Sequence, residues 1–360
     1  MRAVVLSRFG AEEELRLAEV PDPVAGPGEV VVKVLACGVN HVDLDVRAGI
    51  SRFPIELPRI LGREISGEVV ATASDVTELA VGDRIAGGEM FTSCWRCDAC
   101  LAGRDNLCWN VAYPGVFRDG GYAEYVALPA RDCARLPAGL THEVSAAAQV
   151  TFGTAWRALV RRSGGAEPGQ SVLITAAASG VGSAGVQVAR LLGMRVFGAV
   201  GSEAKAAAVR ELGAEAVFVY GRDDLDAELR ERTAGRGVDV VFDIAGGDVF
   251  RESMAALAHG GRLVVAGAHA GEIVPTDLIE IFRYERTIAG TARATRGEMN
   301  TVLAHLAAGR LCPVVDRVLP LAAAADAHRR LANRVNVGKV VLRPWDTAVE
   351  DAVPDDGRKP

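Results

Sequence analysis

The sequence predicts an α/β protein of two domains, a loop-rich β domain followed by a doubly wound parallel sheet of six strands. Three observations carry that prediction. A chain of 360 residues is long enough for two separate cores. Up to about residue 150, short strand-like runs are separated by Pro- and Gly-rich turns. After Pro168, apolar runs of about four to eight residues alternate with amphipathic helical stretches, and strands apolar throughout suit a parallel sheet covered on both faces.

In chain order, an apolar strand pattern occupies 3–6, and strand-like runs follow at 29–35, 67–71, 84–86 and 123–128. Pro21-Asp22-Pro23 and Gly26-Pro27-Gly28 mark turns between them. The parallel sheet is expected from runs at 171–175, 195–200, 216–220, 238–244, 262–267 and 287–290. A closing segment offers a helix at 297–308 and a last strand at 339–342, which returns to the first domain. The expected boundaries are 1–153, 154–291 and 292–345, with a mobile tail at 346–360 rich in Asp, Pro and Lys.

Apolar residues make up 49% and charged ones 24%, the balance of a globular enzyme. A net charge of −6 with scattered Lys and Arg gives no reason to expect nucleic acid. No apolar run reaches about 18 residues and no signal-like segment opens the chain, so a cytoplasmic protein without membrane contact is expected. Seven cysteines in that setting read as thiols and metal ligands. Four of them, Cys94, Cys97, Cys100 and Cys108, stand within one loop at a spacing that closes a tetrahedral zinc shell with no open position. Cys37, Cys133 and Cys312 are isolated and read as small apolar residues.

Between the first strand of the second domain and its helix lies Ala176-Ala177-Ala178-Ser179-Gly180-Val181-Gly182. Small residues there let the backbone approach a pyrophosphate, and the helix N-terminus offers N–H groups and partial positive charge. The second strand ends Ala199-Val200-Gly201-Ser202-Glu203-Ala204-Lys205, without an Asp for the ribose hydroxyls of NAD. Ser202 and Lys205 are expected to hold a 2′-phosphate, which makes NADP(H) the cofactor; Lys205 as a solvated helix residue is the alternative. Glu203 then has to point to solvent. Tyr220 either flanks the adenine or is an ordinary strand-end tyrosine.

These features, with Gly82-Asp83-Arg84, the segment Gly120-Gly121-Tyr122-Ala123-Glu124-Tyr125 and the closing Val337-Gly338-Lys339-Val340-Val341-Leu342, resemble the medium-chain dehydrogenase/reductase superfamily over most of the chain. The resemblance implies a GroES-like catalytic domain joined to a Rossmann domain, and dimerisation through the strand at 287–290. It also implies three catalytic-zinc ligands, a cysteine in Cys-Gly-x-Cys-His-x-Asp, a histidine in Gly-His-Glu and a later cysteine. Here the corresponding positions hold Asn40, Arg63 and Val150. None is a zinc ligand, because a guanidinium cannot be deprotonated and the other two offer no thiolate or imidazole.

The sequence therefore points to a reductase that keeps one structural zinc per chain and lacks the catalytic one. Similarity to the zinc-free branch, including acryloyl-CoA reductase-like proteins, implies hydride delivery from NADPH to an enone, enoyl thioester or quinone, a small-molecule substrate. The expected catalytic residues are Asn40 near the nicotinamide, His41 as hydrogen-bond donor or proton source, and Asp43 with Arg63 as an orienting pair. Glu64 competes as Arg63's partner, Arg63 alternatively binds a substrate carboxylate, and His41 alternatively is an exposed loop residue touching the cofactor. Thr154 and Gly267-Ala268-His269 are expected at the nicotinamide half, and Lys339 at the pyrophosphate or else on the surface. Tyr113, Phe117 and Met90 are expected to line the pocket. An alcohol dehydrogenase with an unconventional metal site and a non-catalytic dinucleotide-binding protein are the rival readings.

Overall fold

A computed structural model describes residues 1–346. The expected tail beyond Asp346 lies outside the described residues. The chain divides into two compact units, one formed by Met1–Val150 with the segment from Thr295 onward, the other by Thr151–Ala294.

The first unit begins with β1 (Arg2–Leu6), β2 (Leu15–Glu19) and β3 (Glu29–Gly38), followed by α1 (His41–Ala48). It continues with β4 (Arg59–Ile60), β5 (Glu64–Thr72), β6 (Arg84–Gly88), α2 (Asp98–Leu101), β7 (Tyr125–Pro129) and β8 (Cys133–Arg135). Helix α3 (His142–Trp156) then leads into the second unit. The strands form a small sheet, β2-β1-β4, and a larger one in which β3 pairs with both β5 and β7. Val30, Val32 and Val34 alternate on β3 and are fully buried, packing with Ile65, Val69, Ile85 and Leu128 in one apolar core.

The second unit runs through β9 (Ser171–Ile174), α4 (Gly180–Leu191), β10 (Arg195–Val200), α5 (Glu203–Glu211), β11 (Ala216–Val219) and α6 (Leu225–Arg232). It is completed by β12 (Val238–Asp243), α7 (Gly247–Ala255), β13 (Leu257–Val265), α8 (Leu278–Arg283) and β14 (Thr287–Gly290). All six strands are parallel in the order β11-β10-β9-β12-β13-β14, the strand order of a doubly wound dinucleotide-binding sheet. Val172, Leu173 and Ile174 of the central β9 are wholly buried, which is why that run is apolar without alternation.

The chain then rejoins the first unit through α9 (Arg296–Ala307), β15 (Val315–Pro320), α10 (Ala324–Ala332) and β16 (Lys339–Arg343). β15 lies parallel to β16, and β16 pairs antiparallel with β3 at Gly38 and Cys37. That pairing carries Lys339, near the end of the sequence, to the exit of β3. Among the described residues, no helix is long and apolar enough to cross a membrane.

Candidate functional site

At the end of β3 the chain turns from Gly38 into α1, and Asn40 is the residue before the helix, with extended backbone (φ −129°, ψ 155°). The Asp43 carboxylate reaches back to accept the Asn40 backbone N–H at 2.9 Å, while Gly49 ends the helix in the left-handed conformation. His41 is thus the first residue of a capped helix, not a loop residue.

The Asn40 side chain is held on all sides. Its Oδ1 accepts from Lys339 Nζ at 2.8 Å, and its Nδ2 donates to Gly38 O at 3.3 Å and Glu64 Oε2 at 3.1 Å. Lys339 is buried, and its ammonium also donates to Val39 O and Glu64 Oε2, each at 2.8 Å. All three of its hydrogens are therefore committed. The expectations for Lys339, a pyrophosphate contact or a surface lysine, are corrected: it is an internal cation that pins the β3–α1 corner. The two amide hydrogens of Asn40 likewise have acceptors within the corner. Glu64, wholly buried, takes a further hydrogen bond from the Val150 backbone N–H at 2.8 Å on Oε1.

Arg63 enters the same region on the turn before β5. Gly62 has φ +98°, and a Cβ there would fall 2.5 Å from Tyr122 Cδ1 and 2.8 Å from Cys37 Sγ, so only glycine permits this turn. The expected Asp43–Arg63 pair is not formed. The Arg63 guanidinium pairs with Glu89 at 2.9 Å and lies over the Tyr113 ring, 4.8 Å from its centre. Asp43 is instead held by the Asn40 N–H and the Tyr122 hydroxyl, and Arg63 reaches it only through its field. Burial pushes Asp43 up to about 6, against the opposing pull of the Asn40 hydrogen bond, Arg63 and Lys339. Tyr113 forms an aromatic cluster with Phe53 and a partly exposed Phe117, whereas Met90 is buried and lines no open surface.

Cys37 is wholly buried, and burial followed by the charge of Asp43 pushes its thiol well up. Cys37, Asn40, Arg63 and Val150 thus present a protonated thiol, a committed amide, an ion-paired guanidinium and an aliphatic side chain. That donor set does not fit a divalent metal ion.

The zinc lobe is the opposite case. The Sγ atoms of Cys94, Cys97, Cys100 and Cys108 all lie within 4.8 Å of one another. Sulfur separations are 3.5 Å for Cys97–Cys100, 3.9 Å for Cys97–Cys108 and 4.0 Å for Cys94–Cys100. Four zinc–sulfur bonds in a tetrahedron place sulfurs roughly 3.8 Å apart, close to these separations, so the cluster fits a structural zinc. The Arg96 backbone N–H already draws Cys94 down to about 6.

In the second unit, Ser179 caps α4, its Oγ accepting from Gly182 N at 3.0 Å. A Cβ on Gly182 would lie 2.2 Å from Ala176 O, which explains glycine at this close approach. Gly180 and Val181 form the first turn of α4, half-buried, with their N–H groups at the positive end of the helix dipole. Tyr220 braces the turn: its hydroxyl accepts from Ala176 N at 2.6 Å and donates to Ala199 O at 3.1 Å. Ser202 precedes α5 and Lys205 lies in its first turn, both half-buried. Glu203 is exposed as expected, yet it is held by Arg222 at 2.7 Å and Arg210 at 2.8 Å. Thr154 is buried with its hydroxyl toward Ala292 O at 3.5 Å. Gly267 and Ala268 follow β13 half-buried and His269 is exposed.

Glu89, Arg47 and His328 carry no local signal that marks them in the sequence. Tyr122 was visible only as part of a motif, and His328 sits on α10 with nothing in its spacing to mark it.

The Alcohol dehydrogenase GroES-like domain family matches residues 26–138 and the Zinc-binding dehydrogenase family residues 180–308. The chain is 31% identical to an alcohol dehydrogenase of Geobacillus stearothermophilus, over 95% of this chain and 99% of the relative. It is 32% identical to a quinone oxidoreductase of Lama guanicoe, over 95% and 97%. A crystal structure of an NAD-dependent alcohol dehydrogenase superposes with a TM-score of 0.91 at 41% identity, covering 95% of this chain and 99% of that one.

Proposed function

Since the chain belongs to the medium-chain dehydrogenase/reductase superfamily, we propose that it is an NADPH-dependent reductase of a conjugated carbon–carbon double bond, in an enone, enoyl thioester or quinone, working without a catalytic metal. The single observation that carries this reading is the donor set of Cys37, Asn40, Arg63 and Val150, in which an amide, an ion-paired guanidinium and an aliphatic side chain stand where metal ligands would be needed. At a ketone or alcohol oxygen a Lewis acid gives the strongest stabilisation of the charge that hydride exchange creates, whereas a conjugated alkene accepts hydride at its β carbon and spreads the charge onto the carbonyl oxygen, and so needs it less. The bound dihydronicotinamide supplies the hydride. His41, at the head of α1, supplies the proton to the α carbon. The buried cations Lys339 and Arg63, paired with Glu64 and Glu89, hold the corner in place.

For the cofactor, Ser179, Gly180, Val181 and Gly182 take the pyrophosphate at the head of α4. Ser202, Lys205 and Arg222 take the 2′-phosphate, with Arg222 released from Glu203. Thr154, Gly267, Ala268 and His269 contact the nicotinamide half. The structural zinc is held by Cys94, Cys97, Cys100 and Cys108. The chain acts as a homodimer in the cytoplasm, where its seven cysteines, none of them in a disulfide, remain reduced. Strand β14 ends the six-stranded sheet, and the neighbouring α8 exposes Leu278, Ile279 and Phe282, an apolar margin suited to a second copy.

The test is anaerobic incubation with NADPH and a panel of enones, enoyl thioesters and quinones, with zinc measured on the same sample. Alkene-dependent loss of NADPH and one zinc per chain are expected. Two zinc ions per chain with alcohol oxidation would establish an alcohol dehydrogenase, a reading favoured by the alcohol dehydrogenase relatives. Binding of NADPH without turnover of any alkene would leave a non-catalytic binding protein.

A further inference from the structure

The turn between β9 and α4 in the second unit contains a backbone conformation that its sequence does not favour by itself. Ala176 has φ +45°, in the left-handed region where a Cβ crowds the following carbonyl oxygen. Among the described residues, Ala234, Glu285 and Arg334 share that conformation, but each directly follows the C-cap of α6, α8 or α10, where a left-handed residue commonly ends a helix. Trp95, the remaining case, lies in the zinc loop. Ala176 follows a strand, so a tertiary contact has to hold it there.

That contact is Tyr220. Its hydroxyl accepts the Ala176 N–H at 2.6 Å and donates to Ala199 O at 3.1 Å. An N–H can only donate and a carbonyl can only accept, so both roles of the hydroxyl are fixed and both need the neutral phenol. Burial keeps it neutral by pushing its ionisation up. Tyr220 stands just past β11, two strands away from β9 in the order β11-β10-β9, or about 10 Å. Among hydroxyl-bearing side chains only tyrosine reaches that far. The neighbours of Ala176 are tied down separately: Thr175 Oγ1 donates to Asp243 Oδ1 at 2.8 Å, and the Ala177 N–H donates to Ala199 O at 3.0 Å.

The conformation of Ala176 passes directly into the head of α4. Its carbonyl accepts from Ser179 N at 2.8 Å and packs so closely on Gly182 that a Cβ there would fall 2.2 Å away. Ser179 in turn caps α4 by accepting from Gly182 N at 3.0 Å. A rotation at Ala176 therefore displaces both ends of the Ser179–Gly182 segment.

We propose that Tyr220 is a positioning residue of the dinucleotide site, whose hydroxyl holds Ala176 in left-handed backbone and so presents the Ser179–Gly182 turn to the pyrophosphate. The inference rests on the proposed cofactor site, and it gives Tyr220 no contact with the adenine or the 2′-phosphate. Glycine would adopt the conformation at position 176 unaided, whereas the alanine of this chain needs the strut.

The test is a double-mutant cycle of Y220F and A176G on the full-length, zinc-loaded protein. It is read by titration with NADPH and with NADH, and by amide hydrogen exchange across residues 176–183 in the absence of cofactor. With alanine at 176, Y220F is expected to raise the Kd for NADPH and for NADH by the same factor, about fivefold or more, and to speed exchange by a similar factor. With glycine at 176, Y220F is expected to change all three by no more than about twofold. Effects of equal size in the two backgrounds would overturn the proposal, because the tyrosine would then act by packing alone. Weaker binding of NADPH with that of NADH unchanged would also overturn it, by putting Tyr220 at the 2′-phosphate, as would Y220F matching wild type in binding and exchange. An exchange cycle that behaves as described in a protein that binds neither dinucleotide would keep the strut and remove the cofactor site instead.

Discussion

Replacing Lys339 by methionine tests whether the internal cation holds the first unit's corner together. The substitution keeps most of the side-chain volume and removes an ammonium that makes three 2.8 Å hydrogen bonds. What remains is a wholly buried Glu64 carboxylate that still has the Val150 N–H and the Asn40 amide, together with two orphaned acceptors, Val39 O and Asn40 Oδ1. Breaking a buried ion pair from one side costs about 3–5 kcal/mol. Because Glu64 keeps two donors, the lower end applies, about 3 kcal/mol, which corresponds to roughly 6–12 °C in Tm for a domain of this size. E64Q strands the ammonium instead and should cost a similar amount. In K339M combined with E64Q neither charge survives, so the double variant should fall short of the sum of the singles by about 2 kcal/mol. The assay is thermal and denaturant unfolding of all four proteins under the same zinc concentration. Singles within about 0.5 kcal/mol of wild type, or a strictly additive double variant, would refute the reasoning.

Three further outcomes follow from the geometry. Removing zinc by chelation, or with C97S, should raise hydrogen exchange across 93–108 and at the start of α9, because Arg296 N donates to Asp105 and Ser93 donates to Asp105 O; exchange confined to the cysteine loop alone would contradict that coupling. R222A and K205A should each raise the KM for NADPH about tenfold or more and leave that for NADH within about twofold, and an equal effect on both cofactors would dismiss the 2′-phosphate assignment. For stability, the raised value of Asp43 sets the sign: a folded-state value of about 6 against an ordinary 3.8 means that the neutral carboxyl is favoured on folding. That contribution is fully present below about pH 4 and is lost as pH rises through about 6, an order-of-magnitude cost of about 3 kcal/mol. D43N should therefore gain stability relative to wild type between about pH 4 and pH 7, and a parallel Tm profile for the two proteins would count against the buried charge.

The parallel sheet was legible because each of its strands is a short apolar run set between polar helices, and burial on both faces leaves that mark in the sequence. Boundaries blurred where glycine intervened: β13 starts at Leu257, five residues before the apolar run, because Ala258-His259-Gly260-Gly261 belongs to the strand despite its composition. The zinc ligands were readable from spacing, since all four lie within one loop. Helix α1 was not anticipated, although Asn40, Asp43 and Gly49 are its capping residues, because eight residues with little apolar periodicity give a weak signal. The pairing of charges was the least legible. Lys339 meets Glu64 across 275 positions, and His328 meets Tyr122 across 206, so nothing local distinguishes these residues from surface ones. Arg63 and Asp43 looked like natural partners only because Glu89 could not be placed beside them.

The closed hydrogen-bond accounts of the β3–α1 corner also bear on how such a site evolves. Restoring a metal would take histidine at Arg63 and cysteines at Asn40 and Val150, and each change alone does harm. R63H takes the guanidinium away from Glu89 and from the face of Tyr113, and N40C deprives Lys339 and Glu64 of their shared amide. A metal-holding arrangement and the present one are thus separated by intermediates that lose one set of contacts before gaining the other, even where the surrounding fold would accept each side chain.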